Sequence, residues 1–257
     1  ALLRGIERLA DGAPGDRIIT KALWAAHGYA TADAGLPPIV AGVRRTLLLR
    51  WDGWTATFEG EDTATGQPTM VRTLRAHAAK DPVLRRALAR DGAMLAKHVP
   101  TLGVRAHAGA TPALTAPLPG PALEQGRQAW DEGDAWPVRM LATGLASLAR
   151  WEEVGIPLPP LSGHEVRDTG RGAQVVCLTV GDPGPTGPNV ARLAAAIRRW
   201  WGDAGDTPVD GLLEGFETFA PDSVAFATGR LREALREDLA DRRHALAAAR
   251  AHTRRSS

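Results

Sequence analysis

Cysteine is almost absent from the 257-residue chain: only Cys177 is present, so no internal disulfide can form. It sits in the apolar run Val175-Val176-Cys177-Leu178, which reads as buried strand. An excess of one charge is also missing. Thirty-one basic residues face 29 acidic ones, for a net charge of +2, which excludes a chain built chiefly to neutralise a phosphate backbone. No apolar stretch approaches the about 18 residues of a membrane-spanning helix, and the amino terminus has no basic segment followed by a long apolar core. A cytoplasmic location is the resulting expectation. The chain starts at Ala1 with no methionine, so a processed or excised piece of a longer protein is expected. Metal-ligand spacing is lacking as well. The seven histidines are scattered, and His164-Glu165 opens like a zinc-protease helix but has Asp168 where the second histidine belongs. The glycine-rich stretch from Gly181 to Gly187 lacks the lysine of a phosphate-cradling loop, and its prolines remove amide donors, so it reads as a rigid connector.

What is present is a periodic pattern able to fold. With 44% hydrophobic and 23% charged residues, the chain can bury the core of one large domain or two small lobes. Residues 1–45 hold one expected helix, over 19–29, and a turn-rich Gly35-Leu36-Pro37-Pro38; they read as an extension without a motif. Strands are expected at 47–49, 55–59 and 69–74, joined by short turns. A helix follows over 81–98, with Asp81-Pro82 as its start signal. Two more strands are expected at 103–108 and 113–116, before Pro117-Leu118-Pro119-Gly120-Pro121 breaks regular structure. Beyond that break come a helix over 138–154, a hairpin from Val166 and 175–180, a helix over 190–201, and a final amphipathic helix over 223–251 with Leu231, Leu235 and Leu239 four apart.

Local sequence gives this element order a resemblance. The run from Phe58 to Leu74, with its turn at Gly66, is similar to the second and third strands of bacterial serine/threonine protein kinases. The run from Asp91 to Pro100 resembles the end of that family's regulatory helix, and 112–123 its fifth strand and hinge. Leu145 to Ile156 is similar to the long helix before the catalytic loop. The likeness covers about residues 46 to 200. It implies an α+β, two-lobed protein-kinase-like fold: an N-lobe over 46–116 with a five-stranded antiparallel sheet and one helix, and a shortened, mainly helical C-lobe over 117–257.

The same resemblance implies that the chemistry has been lost. Arg72 stands at the phosphate-binding lysine and Asp91 at the helix glutamate that pairs with it. Pro160 falls on the catalytic aspartate, Ser162 on the neighbouring lysine and Glu165 on the metal-binding asparagine. The magnesium-binding triplet becomes Thr179-Val180-Gly181, and the three loop glycines become Arg50, Asp52 and Thr55. No activation segment is expected between Gly181 and the 190–201 helix. These degenerate nucleotide-site positions predict a pseudokinase with no catalytic residue, no metal and no cofactor, at most weak nucleotide binding, and a protein partner inside a larger bacterial assembly. Eight tryptophans, among them Trp51, Trp54, Trp200 and Trp201, supply anchors for such a partner. Two other readings stay open: an atypical nucleotide-dependent transferase with Glu165 as metal ligand, and a nucleic-acid contact through a basic tail containing Arg250, Arg254 and Arg255.

Overall fold

The computed structural model describes residues 35–123, 135–181, 185–201, 208–219 and 221–255. The helix expected over 19–29 lies outside them, as do the side chains of Trp200, Trp201, Arg250, Arg254 and Arg255. The chain divides into two compact units, Ala1–Pro117 and Leu118–Ser257. Among the described residues no helix is long and apolar enough to cross a membrane.

In the first unit, strands β1 (Ile39–Val40), β2 (Val43–Trp51), β3 (Thr55–Asp62) and β4 (Pro68–Leu74) lead to helix α1 (Pro82–His98). Strands β5 (Arg105–His107) and β6 (Ala113–Pro117) follow. They form one antiparallel sheet in the order β1-β2-β3-β4-β6-β5. The sheet therefore has six strands where five were expected. The extra strand lies inside 1–45, read from sequence as an extension. Two residues with positive φ, Ala41 at 51° and Gly42 at 79°, make the tight turn that folds β1 onto β2.

The second strand runs four residues further towards the amino terminus than its leucines suggested. Register shifts at Thr46 and Leu49 break its alternation, so that Val43 and Leu48, five residues apart, are both buried. Strand β4 is buried along nearly its whole length because it is central and covered on both faces. Its register opposite β3 and β6 places Arg72 between Thr57 and Leu114.

The second unit contains α2 (Ala135–Glu153), a hairpin of β7 (Val166–Asp168) and β8 (Ala173–Val175), then α3 (Gly187–Trp201), α4 (Pro208–Thr218) and α5 (Val224–Arg255). Its core joins Met140, Leu141, Leu145 and Leu148 of α2 to Val190, Leu193 and Ile197 of α3. Hydroxyls of α2 anchor the hairpin, for Thr143 Oγ1 accepts from the amide of Ala173 at 2.7 Å and Ser147 Oγ from that of Val175 at 3.0 Å.

Two expectations fail here. The strand expected over 175–180 ends at Val175, because the Val176 amide turns to the carbonyl of Glu165 at 2.8 Å. Helix α4 was not foreseen. Gly211 and Gly215 hide a regular apolar stripe of Val209, Leu212, Leu213 and Phe216, all buried.

Candidate functional site

In the first unit the site is built around Arg72. Strand β4 carries the residue, which is 7% exposed, and its Nη1 donates to Asp91 Oδ2 at 3.0 Å. Helix α1 delivers Asp91, and its start is fixed by Asp81, whose Oδ1 accepts from the amides of Val83 at 2.7 Å and Leu84 at 3.3 Å. Gly92 then lets the helix lie close, since a β-carbon there would stand 2.4 Å from Cδ2 of Leu114. An aspartate is one methylene shorter than a glutamate. The close approach and the longer reach of arginine make up the difference.

The turn between β2 and β3 closes the other side of Arg72. Asp52 Oδ1 accepts from the amides of Trp54 at 2.7 Å and Thr55 at 2.6 Å, and Oδ2 from the Thr55 hydroxyl at 2.7 Å. Partial burial pulls the Asp52 carboxyl up. The Thr55 and Trp54 hydrogen bonds and the nearby Arg72 guanidinium outweigh it and hold the group below its ordinary 3.8. Arg72 is thus paired with one carboxylate and lies in the field of a second.

The turn's carbonyls are occupied as well. Asp52 O accepts from Arg75 Nη1 at 3.0 Å, Gly53 O from His77 Nε2 at 3.0 Å, and Trp54 O from the Arg75 amide at 2.8 Å. Trp51 and Trp54 remain 42% and 56% exposed on this turn.

In the second unit Pro160 is exposed, and the backbone on both sides of it is clamped by α3. Asn189, 5% exposed, accepts from the Leu161 amide at 3.0 Å and donates to the carbonyl of Pro159 at 3.3 Å. Arg192 Nη1 adds a bond to Leu161 O at 3.1 Å. Glu165 is 1% exposed. Its Oε2 accepts from the Ser162 amide at 3.0 Å and hydroxyl at 3.3 Å, closing a capping box on the Gly163–Glu165 turn, and its Oε1 accepts from Cys177 Sγ at 3.3 Å.

Both oxygens of Glu165 are therefore engaged inside the fold. Thr179 has a buried hydroxyl oxygen without a hydrogen-bond partner, and a neutral hydroxyl is a weak ligand for a hard dication. This donor set does not fit a magnesium ion. Gly181 keeps a steric role: its amide bonds to Pro157 O at 2.8 Å, and a β-carbon on it would lie 2.6 Å from Pro159 N.

With the added β1 set aside, the element order of the two units, a five-stranded antiparallel sheet with one helix after its third strand followed by a mainly helical unit with a short hairpin, is that of a protein kinase. The fold is protein-kinase-like. No protein-family model matches the chain, and no curated protein matches it. Solved structures similar to it include the kinase domain of Mycobacterium tuberculosis PknI, 13% identical over 78% of this chain and 99% of that one, with a TM-score of 0.44. A cysteine-to-alanine variant of that domain gives 13% identity over the same shares and a TM-score of 0.47. A doubly substituted variant gives 12% over 79% and 99%, with a TM-score of 0.46.

Of the positions singled out in the sequence, the structure brings Arg72 and Asp91 into contact and sets Asp52 beside them. Glu165 is held within the second unit by Ser162 and Cys177. Sequence reasoning missed the ties from Arg75 and His77 to the turn and the clamp by Asn189. The signal for the first was the run Arg75-Ala76-His77 directly after a strand; for the clamp, a lone asparagine at the start of a helix carries none.

Proposed function

We propose that this chain is a catalytically silent kinase-like domain that works by binding a protein partner. The observation that carries the reading is the state of Arg72. Asp91 pairs with it at 3.0 Å, as the resemblance expects of the helix carboxylate, but Asp52, where the resemblance puts a glycine of the phosphate loop, adds a second carboxylate whose field reaches it. A triphosphate arriving there has to face the repulsion of that second anion. The pinned turn supports the same reading, since a phosphate-covering loop needs free amides, and those of Trp54 and Thr55 already donate to Asp52. Glu165, with both oxygens engaged, and Pro160, with no proton to exchange, add nothing that would move a phosphoryl group. The exposed Trp51 and Trp54 offer large aromatic area for a partner at low entropic cost.

Calorimetric titration with ATP, with and without magnesium, tests this. No saturable heat is expected up to millimolar nucleotide for the native chain. Magnesium-dependent binding that is lost in Arg72→Ala would overturn the reading and favour a nucleotide-dependent transferase.

A further inference from the structure

The second unit contains a cavity of about 320 Å³ at the carboxyl-terminal end of α2. That size lies within the roughly 300 to 1,000 Å³ typical of small-molecule sites. Its floor is apolar, with Trp151 and Ile156 2% and 4% exposed and Leu158 half-buried. Its rim carries the carboxylates of Glu152 and Asp222, and among the described residues lining it there is no lysine, arginine or histidine.

The local fold keeps the space open. Helix α2 ends in a Schellman motif, with the Gly155 amide bonded to Glu152 O at 3.0 Å and the Ile156 amide to Trp151 O at 3.3 Å. Gly155 has φ 66° and nothing within 4 Å of where a β-carbon would be, so the chain leaves the helix without filling the gap. Glu152 is held by a hydrogen bond, and the backbone beside Asp222 by packing. Glu152 Oε1 accepts from the Thr186 hydroxyl at 3.0 Å, which leaves Oε2 to the cavity. Asp222 follows Pro221, whose carbonyl fills the place a β-carbon on Gly187 would take.

The sign of the site follows from these groups. The end of α2 contributes about half a negative charge and the start of α3 about half a positive one, so the helix dipoles offset each other. Two full carboxylates decide the balance. We infer that this cavity binds a small organic cation, with an aromatic or aliphatic body against Trp151, Ile156 and Leu158 and an ammonium or guanidinium group between Glu152 and Asp222. The inference does not depend on the reading of the nucleotide site, because none of Trp151, Glu152, Ile156, Leu158 and Asp222 is one of its positions.

The test is a titration of the full chain with three probes of similar shape: phenethylammonium, 3-phenylpropanol and 3-phenylpropionate. The cation is expected to bind about five-fold more tightly than the alcohol, the gain of roughly one exposed ion pair, and the anion most weakly. Glu152→Lys combined with Asp222→Lys should reverse that order. Glu153→Lys, an exposed neighbour that does not line the cavity, should leave it unchanged, and Leu158→Trp should weaken all three probes by filling the space. Equal affinities for the three probes, no saturation by about 10 mM, or an order that survives the double charge reversal would each overturn the proposal, provided circular dichroism shows the variants folded.

Discussion

Gly92 and Leu114 are in contact where helix α1 crosses strand β6: the glycine's missing β-carbon would stand 2.4 Å from Cδ2 of the leucine. That contact sets how near Asp91 comes to Arg72. Gly92→Ala must push the helix outward or force Leu114 from its rotamer, at about 1 to 3 kcal/mol. The chain should unfold at lower urea than the parent, and Gly92→Ala with Leu114→Ala should lose less than Gly92→Ala and Leu114→Ala lose separately.

Asp91→Ala removes the partner of an arginine side chain that is only 9% exposed. Losing that carboxylate, with the field of Asp52 still on the cation, should cost about 3 kcal/mol, the low end for a broken buried pair. Asp91→Asn keeps an acceptor at the same place and should cost less. Urea midpoints of the two variants measure the difference.

How much of this was legible before the structure depends on the range of the interaction. The core strands and α1 could be read because their signals are local: apolar and β-branched residues between turns in 69–74, and Asp81-Pro82 at a helix start. The pairing of Arg72 with Asp91 came from the resemblance, since nothing in a spacing of nineteen residues brings a strand and a helix side chain together. Strand β1 was missed because two residues carry no period. Helix α4 was missed because its glycines argue against the helix that its buried Val209, Leu212, Leu213 and Phe216 require. The clamp of Asn189 on Pro159 and Leu161 spans about thirty residues, so local pattern holds no trace of it.

The turn acid gives a pH dependence with a definite sign. Its carboxyl is held below 3.8 in the folded chain, so it contributes stability that is fully present above the unfolded value and lost as pH falls through the folded one. Asp52→Asn should therefore flatten the acid limb of a stability profile below about pH 4. Asp62, held low by the amides of Thr65 and Ala64 and the Thr65 hydroxyl, keeps a slope of its own in that variant. Acid titration followed by tryptophan fluorescence reads both.

The ties from Arg75 and His77 predict a local effect. Arg75→Ala with His77→Ala frees the carbonyls of Asp52 and Gly53. Hydrogen exchange at the amides of Trp54 and Thr55 should accelerate by at least about ten-fold, since local opening then costs at least one hydrogen bond fewer, while exchange in α2 and α3 should not change.

The same ties bear on reversibility. Glycines introduced at 50, 52 and 55 would give the turn the spelling of a phosphate loop without giving it motion, because Arg75 and His77 lie outside the graft and would still grip the backbone they hold now. Because Arg75 and His77 hold the turn stationary, single substitutions towards a moving one lose stability before they gain anything, and the turn behaves like a latch that no one change at its own positions opens.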